Sequence, residues 1–279
     1  MAHFDQTIHD VLAVEQIEEN IFIGPSVNSA FVRTFGGQVV AQALCAAQQT
    51  VTDKNTHSLH VYFLEGGIAE LPIEFRVDRI RDGRTFSSRR VEGFQHGKRM
   101  MIMSASFHHE GDSGPEHSDA MPEVPGPEDS IDHLLIRPRS QAKRDLDWQD
   151  WDLRVVPEQA LSDAQLNPHG QGRHQYMWFK NLSEMGDDQA VHQAALAYQS
   201  DMSLLYTALM EHPAQELQVA SLDHAMWFLR PVRVDEWLLV DQYSPSAAHG
   251  VGYTQGRVFN QQGELVAMLS QEGLTRQKN

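Results

Sequence analysis

Two stretches of this chain repeat each other, and an internal repeat limits the fold more than any single motif does. Ser58-Leu-His-Val-Tyr-Phe-Leu64 resembles Ser221-Leu-Asp-His-Ala-Met-Trp-Phe-Leu229, the second copy being two residues longer between the shared Leu and Phe. Gln95-His-Gly-Lys-Arg-Met-Met-Ile-Met-Ser104 parallels Gln261-Gln-Gly-Glu-Leu-Val-Ala-Met-Leu-Ser270, each placing a turn glycine, Gly97 or Gly263, before an apolar strand. The offsets are 163–166 residues. An alanine-rich helical stretch precedes each block, from Gly37 to Gln48 and from Asp188 onward. Each half therefore reads as a short strand (Asn20–Gly24; Gln175–Lys180), one long helix, then three or four antiparallel strands. A sheet with a single long helix needs that helix on one face to close its core. The fold class is α+β, duplicated.

Charge separates the copies. Between Arg76 and Arg99 eight basic side chains face three acids, whereas the 279-residue chain as a whole carries a formal charge of −16. From Glu110 to Ile136 there are eight carboxylates, four prolines and no Lys or Arg, a composition suited to an exposed, partly extended linker. Residues 1–110, 111–170 and 171–279 are thus expected to be a first domain, an acidic Pro-rich linker and a second domain. Part of the linker, Arg144 to Trp151, carries two tryptophans able to pack back. Net acidity argues against nucleic acid as a partner, and no apolar run approaches the ~20 residues of a membrane span. The lone Cys45 excludes an internal disulfide and a cysteine-built zinc site, which fits a reducing, cytoplasmic compartment. The first residues lack the basic-then-apolar pattern of a secretion signal. The arginine-rich stretch is either a solvated strand face or a surface for a phosphorylated ligand.

Three polar residues interrupt apolar faces. On the period of the second helix, Ala194, Ala197, Tyr198, Asp201, Leu204, Leu205 and Ala208 share a stripe in which Asp201 is the only carboxylate. A buried acid needs donors or a purpose; it is either a structural acid bonded to a turn or a base whose pKa burial raises. Ser221 falls in an apolar strand, on the face of Asp223 and Ala225, and Gln271 ends the face of Leu265, Ala267 and Leu269. Carboxylate, hydroxyl and amide can hold one water among them, although spacing alone does not bring them together. Other signals fail. Gly111-Asp-Ser-Gly-Pro115 matches a serine-protease nucleophile motif but lies in the acidic linker. No G-x-S-x-G, H-E-x-x-H or G-x-G-x-x-G pattern supports an elbow nucleophile, a zinc helix or a dinucleotide site. His57 and His60, three apart on a strand, point to opposite faces and chelate poorly. No metal or cofactor is expected.

At these residues the chain resembles the acyl-CoA thioesterase II family of two fused hotdog domains, each an antiparallel sheet wrapped around one long helix. The resemblance rests on Phe35-Gly-Gly-Gln-Val-Val-Ala-Gln-Ala-Leu44, His57–Leu64, Arg81-Asp-Gly-Arg-Thr-Phe-Ser87, Tyr198-Gln-Ser-Asp201, Leu222-Asp-His-Ala-Met-Trp-Phe228 and Ser270-Gln-Glu-Gly273, and spans roughly residues 10–276. It implies an acyl-CoA substrate and a hydrolytic Asp–hydroxyl–Gln set at Asp201, Ser221 and Gln271. Water would attack directly, without an acyl-enzyme, with Asp201 as its base. By analogy, the Gly36-Gly37 turn and the start of the second helix are candidate donors to the developing oxyanion. Arg79, Arg81, Arg84 and Arg89 are candidates for CoA, and His57 is the second candidate for a catalytic role. A homo-oligomer is expected, dimer or tetramer. Peroxisomal relatives end in a Ser-Lys-Leu-type signal, which Gln277-Lys-Asn279 does not match. The rivals are a hotdog enoyl-CoA hydratase, whose Asp/His pair at the helix start is not seen near Gly37 or Asp188, and a non-catalytic acyl-CoA-binding protein.

Overall fold

In a computed structural model of the chain, residues 6–27, 33–136, 148–168, 174–210, 212 and 217–277 are described. The first half comprises helix α1 (Ile8–Leu12), strands β1 (Glu15–Glu18) and β2 (Ile21–Gly24), helix α2 (Gly36–Gln48), and strands β3 (Asn55–Phe63), β4 (Ile73–Asp82), β5 (Phe86–Gln95) and β6 (Lys98–His108). The connecting region contributes β7 (Ile131–Asp132), α3 (His133–Ile136), β8 (Trp151–Val155) and α4 (Asp163–Leu166). The second half holds β9 (His174–Asn181), α5 (Gln189–Ser200), α6 (Leu204–Thr207), β10 (Leu217–Ser221), β11 (Asp223–Phe228), β12 (Leu238–Ala248), β13 (Val251–Asn260) and β14 (Leu265–Gln277).

Among the described residues these strands form one sheet, ordered β1-β2-β4-β5-β6-β3-β11-β14-β13-β12-β9-β8-β7, with β10 also on β14. The halves join edge to edge where β3 runs antiparallel to β11, Tyr62 opposite Asp223 and Ser58 opposite Trp227. Pairing thereby covers an edge that each half alone would leave open. Strand alternation decides what faces inward. In β5, Ser87, Arg89, Val91, Gly93 and Gln95 point in, and in β14 Ala267, Leu269 and Gln271 do, whereas an irregularity between β13 and β14 leaves Leu265 on the opposite face with Phe259. Each half packs its part of the sheet on one long helix, the duplicated α+β unit expected from the repeat and the double hotdog that the resemblance implies. Gly97 and Gly263 both adopt positive φ in the turns assigned to them.

The helices α2 and α5 lie side by side in one continuous core. Ala41, Ala43, Ala46 and Ala47 of α2, and Ala194, Ala195 and Ala197 of α5, are fully buried, because methyl groups let the two backbones approach. The backbones come close at Gly37, where a Cβ would stand 2.3 Å from the Tyr198 carbonyl oxygen. At the other end, Gln48 Nε2 donates to the Ala190 carbonyl at 3.1 Å. The start of one helix therefore meets the end of the other, and the pair is antiparallel.

Register corrects the repeat. His60 pairs with Ser104 and Ala225 with Ser270, so His60 and Ala225 are equivalent and no two-residue insertion exists. Both strands instead break at the same point. β3 has an irregularity between Thr56 and Ser58, while Leu222 separates β10 from β11 and donates its N–H to the Glu272 carbonyl. Thr56 sits opposite Phe107 and Ser221 opposite Gly273, so Thr56 is the counterpart of Ser221. The break also turns His57 outward, on the same face as exposed His60, rather than opposite to it.

The region between the halves is strapped down. β8 pairs with β9, Trp151 opposite Asn181, and Trp151 is buried; Trp148 packs on the core, while 144–147 lie outside the described residues. Met121 and Val124 cover a second apolar cluster around Trp178, Leu239 and Phe259 on the outer face. Trp178 Nε1 donates to the Pro125 carbonyl at 2.8 Å, and Arg257 reaches Asp119 at 3.0 Å. Arg257 also meets the buried Asp241, which accepts from His174 as well.

Candidate active site

Asp201 is brought into the interior by the end of a helix, not by its face. α5 stops at Ser200, and Asp201 is its C-terminal cap with φ −88° and ψ −2°; α6 is a separate turn. The stripe expected to run unbroken from Ala194 to Ala208 is therefore interrupted at the carboxylate, which the chain's turn leaves aimed between the helices. α2 begins at the same place. Its N-cap, Phe35, offers no side-chain cap, yet the first amides of a helix need acceptors and carry partial positive charge. The Gly37 amide lowers the Asp201 pKa and Asp201 Oδ2 lies beside Gly36, so the acid of one half stands at the helix start of the other. A Cβ on Gly36 would lie 2.6 Å from Asp201 Oδ2, closer than atoms can approach, which explains the glycine there.

Two strands supply the remaining polar groups. Gln271, inward-facing and buried on β14, donates through Nε2 to Asp201 Oδ1 at 2.8 Å and to Ser221 Oγ at 2.7 Å. Ser221 Oγ lies 3.4 Å from Asp201 Oδ1, long for a hydroxyl–carboxylate contact. All three sequence candidates thus meet in one cluster. Ser221 does not share the face of Asp223 that strict alternation gives it. The break at Leu222 shifts the alternation, so Ser221 points inward together with His224, while Asp223 turns away to accept the Glu272 N–H at 2.7 Å.

Around the carboxylate the walls are apolar. Phe63 stands against the Gly36 position and Leu205 over Gly273; Phe35 packs edge-on against Tyr198 with centroids 5.2 Å apart. Burial pushes the Asp201 pKa up to about 6, against the opposing pull of Gln271, Gly37 and Ser221. A carboxylate poised there is ionised at neutral pH and still basic enough to take a proton.

Other expectations fall elsewhere. The start of α5 lies by Gln48, at the far end of the helix pair, because the helices are antiparallel; it cannot serve the Asp201 cluster. The Gly37 amide, a candidate donor to a substrate oxygen, acts on the Asp201 carboxylate by lowering its pKa. Arg89 is not an outward cation: it is 1% exposed and bonds Thr50, Asp82 and the carbonyls of Arg81 and Ser88. Thr50 follows the end of α2, so this arginine sits about 20 Å from Gly36, the length of a thirteen-residue helix. Arg79 is bonded to Asn20. His57 contacts Ser106 Oγ at 2.8 Å and the rings of Phe86 and His108, outside the sheet at that same far end. His224 escapes the sequence reading. Its only signal is its inward place in an alternating apolar strand. Among the described residues no group of three His, Cys, Asp or Glu side chains is arranged to hold a metal ion.

Nearly the whole chain is similar to known proteins. A family model described as acyl-CoA thioesterase matches residues 142–274, and one described as acyl-CoA thioesterase N-terminal domain matches residues 25–108. Acyl-CoA thioesterase 2 of Haemophilus influenzae is 37% identical over 274 residues, covering 95% of this chain and 96% of that protein. Human acyl-coenzyme A thioesterase 8 is 37% identical over 284 residues, covering 96% of this chain and 88% of that protein. The crystal structure of an acyl-CoA thioesterase II, TesB2, from Mycobacterium marinum superposes with a TM-score of 0.85 at 43% identity, covering 98% of each chain.

Proposed function

The chain belongs to the acyl-CoA thioesterase family and is a thioester hydrolase, and from that premise we propose that it cleaves fatty acyl-CoA to free fatty acid and CoA using Asp201, Ser221 and Gln271. The observation that carries the assignment is the closed set of contacts among these three side chains, made around a buried carboxylate whose pKa lies near 6.

Asp201 accepts one proton of a water as its oxygen attacks the thioester carbonyl carbon. The tetrahedral intermediate collapses with cleavage of the C–S bond, and the proton held by Asp201 passes to the departing CoA sulfur. Ser221 already accepts from Gln271, and its own hydrogen is held only loosely by Asp201, so it can turn to the water oxygen and aim it. Gln271 keeps the carboxylate in place and ionised. The positive end of α2 lowers the energy of charge developing in front of it. Phe35, Phe63 and Leu205 keep bulk water from this small polar island.

Incubation of the purified protein with acyl-CoAs of graded chain length and a thiol-trapping dye tests the reading. Release of CoA thiol by the wild type and its loss in Asp201→Asn, with the variant still folded and unfolding in one cooperative transition, is the expected result. Near-normal turnover in that variant removes Asp201 from the role of base. The chain is further proposed to act in the cytoplasm and as a homo-oligomer joined through its sheet, where Tyr62 and Ile80 are exposed. Light scattering that returns a monomer mass rejects the second of these.

A further inference from the structure

One buried ionisable side chain beside the cluster takes no part in the scheme above. His224 is wholly buried on β11. Its Nδ1 lies 3.2 Å from Gln271 Oε1, and its Nε2 lies 2.9 Å from Ser200 Oγ. We propose that His224 is a positioning residue that holds the Gln271 amide in the one orientation able to serve Asp201, by donating from Nδ1–H to Oε1.

The argument is a count of hydrogens along a chain of contacts. A primary amide has one accepting end and one donating end. Ionised Asp201 and Ser221 both lie within 2.8 Å of the Gln271 nitrogen, so the donating end must face them; turned over, Oε1 would face a carboxylate oxygen. Gln271 Oε1 then faces His224, and at 3.2 Å two bare lone pairs would repel. Nδ1 must therefore carry the proton. His224 is neutral, since burial pushes its pKa down to about 4, so Nε2 is bare and accepts. Its donor is the Ser200 hydroxyl, which thereby forgoes two alternative acceptors, the Ala197 carbonyl at 2.9 Å and Met226 Sδ at 3.5 Å. Serine rotor, histidine tautomer and amide orientation are linked in a row, and each fixes the next. Ser200 precedes Asp201 in sequence, so the row starts and ends on the same helix terminus.

The inference rests on the assignment of Asp201 and Gln271 above, and its tests separate the two. His224→Asn places an amide N–H where Nδ1–H stood; His224→Gln and His224→Leu do not. Steady-state rates from pH 5 to 9 are expected to show kcat lowered about tenfold or more in the Leu and Gln variants, with KM little changed. Their acid limb should move upward by roughly one pH unit as Asp201 loses a fixed donor, whereas His224→Asn should recover kcat to within about threefold of wild type. A His224→Asn variant as impaired as His224→Leu, or a His224→Leu variant with wild-type kcat and limb, overturns the proposal. Nitrogen-15 NMR of the wild-type protein needs no variant to fold: a proton on Nδ1 supports it, and a proton on Nε2 defeats it whatever the activity. Failure of the thioesterase site itself reads differently, as turnover persisting in Asp201→Asn.

Discussion

At one end of the helix pair α2 begins beside the last residues of α5; at the other, α5 begins beside the last residues of α2. The two ends are built from equivalent strands and carry different chemistry. Where the first has Asp201, Ser221 and Gln271, the second has Gln48, Thr56 and Ala105. Gln48 Nε2 reaches Thr56 Oγ1 at 3.4 Å, the same separation as Ser221 from Asp201. Ala105, next to Ser104 as Gln271 is next to Ser270, has no polar atoms to offer. α5 is capped by its own Asp188, which accepts the Ala190 N–H at 2.9 Å, while α2 starts beside Asp201. Gln193 closes the neutral end by bonding the Thr56 backbone through both of its amide atoms. The fold thus satisfies this junction without a buried charge. The acid at the first end is not required by packing, which is the physical case for assigning it to chemistry.

That contrast can be broken most strongly at Asp201. Replacing it by Asn makes the first end resemble the second, and kcat for CoA release is expected to fall by about 10²–10⁴-fold, the usual span for a lost general base. Gly36→Ala attacks the same end through space: the new methyl displaces the carboxylate, and a loss of about tenfold to a hundredfold in kcat is expected, since displacements of this size carry such costs. Stability should move the other way. Because the folded-state pKa of Asp201 is raised from 3.8 to about 6, its contribution is full below pH 3.8 and is lost as pH rises through 6. Urea titration should therefore find Asp201→Asn more stable than wild type at pH 8, by roughly 1–3 kcal/mol, with the gap closing toward pH 4. A variant less stable at pH 8 would refute the strained-acid account. The same shift places the acid limb of kcat/KM near pH 6. The smallest effect belongs to the neutral end, where Gln48→Ala should leave turnover within about twofold while removing roughly 1 kcal/mol of hydrogen bonding; a large loss of activity there would end the asymmetry.

Much of this was legible in the amino-acid order. Duplicated strands with a glycine turn announce paired sheets, and a lone carboxylate amid alanines and leucines marks Asp201 even though its helix ends sooner than periodicity suggests. The failures share a cause. Alternation counted residue by residue puts Ser221 on the wrong face, because a backbone break at Leu222 resets the count without a composition signal. Arg89 reads as a surface cation amid charged neighbours, yet its inward register carries it under Thr50. The meeting of Gly37 with Asp201 is a tertiary event between residues far apart in sequence, and the antiparallel setting of two helices has no local signature.

The shared junction has one further consequence. Since the start of α2 stands against the acid carried by α5, the proposed reactive centre is a joint between the halves and not the property of either. Cutting the chain within the connecting region would make its assembly a bimolecular event. Activity at low concentration would then follow the product of the two fragment concentrations, where the intact chain shows simple proportionality to its own. The covalent connection acts here as a concentration, holding each half permanently at its partner's side.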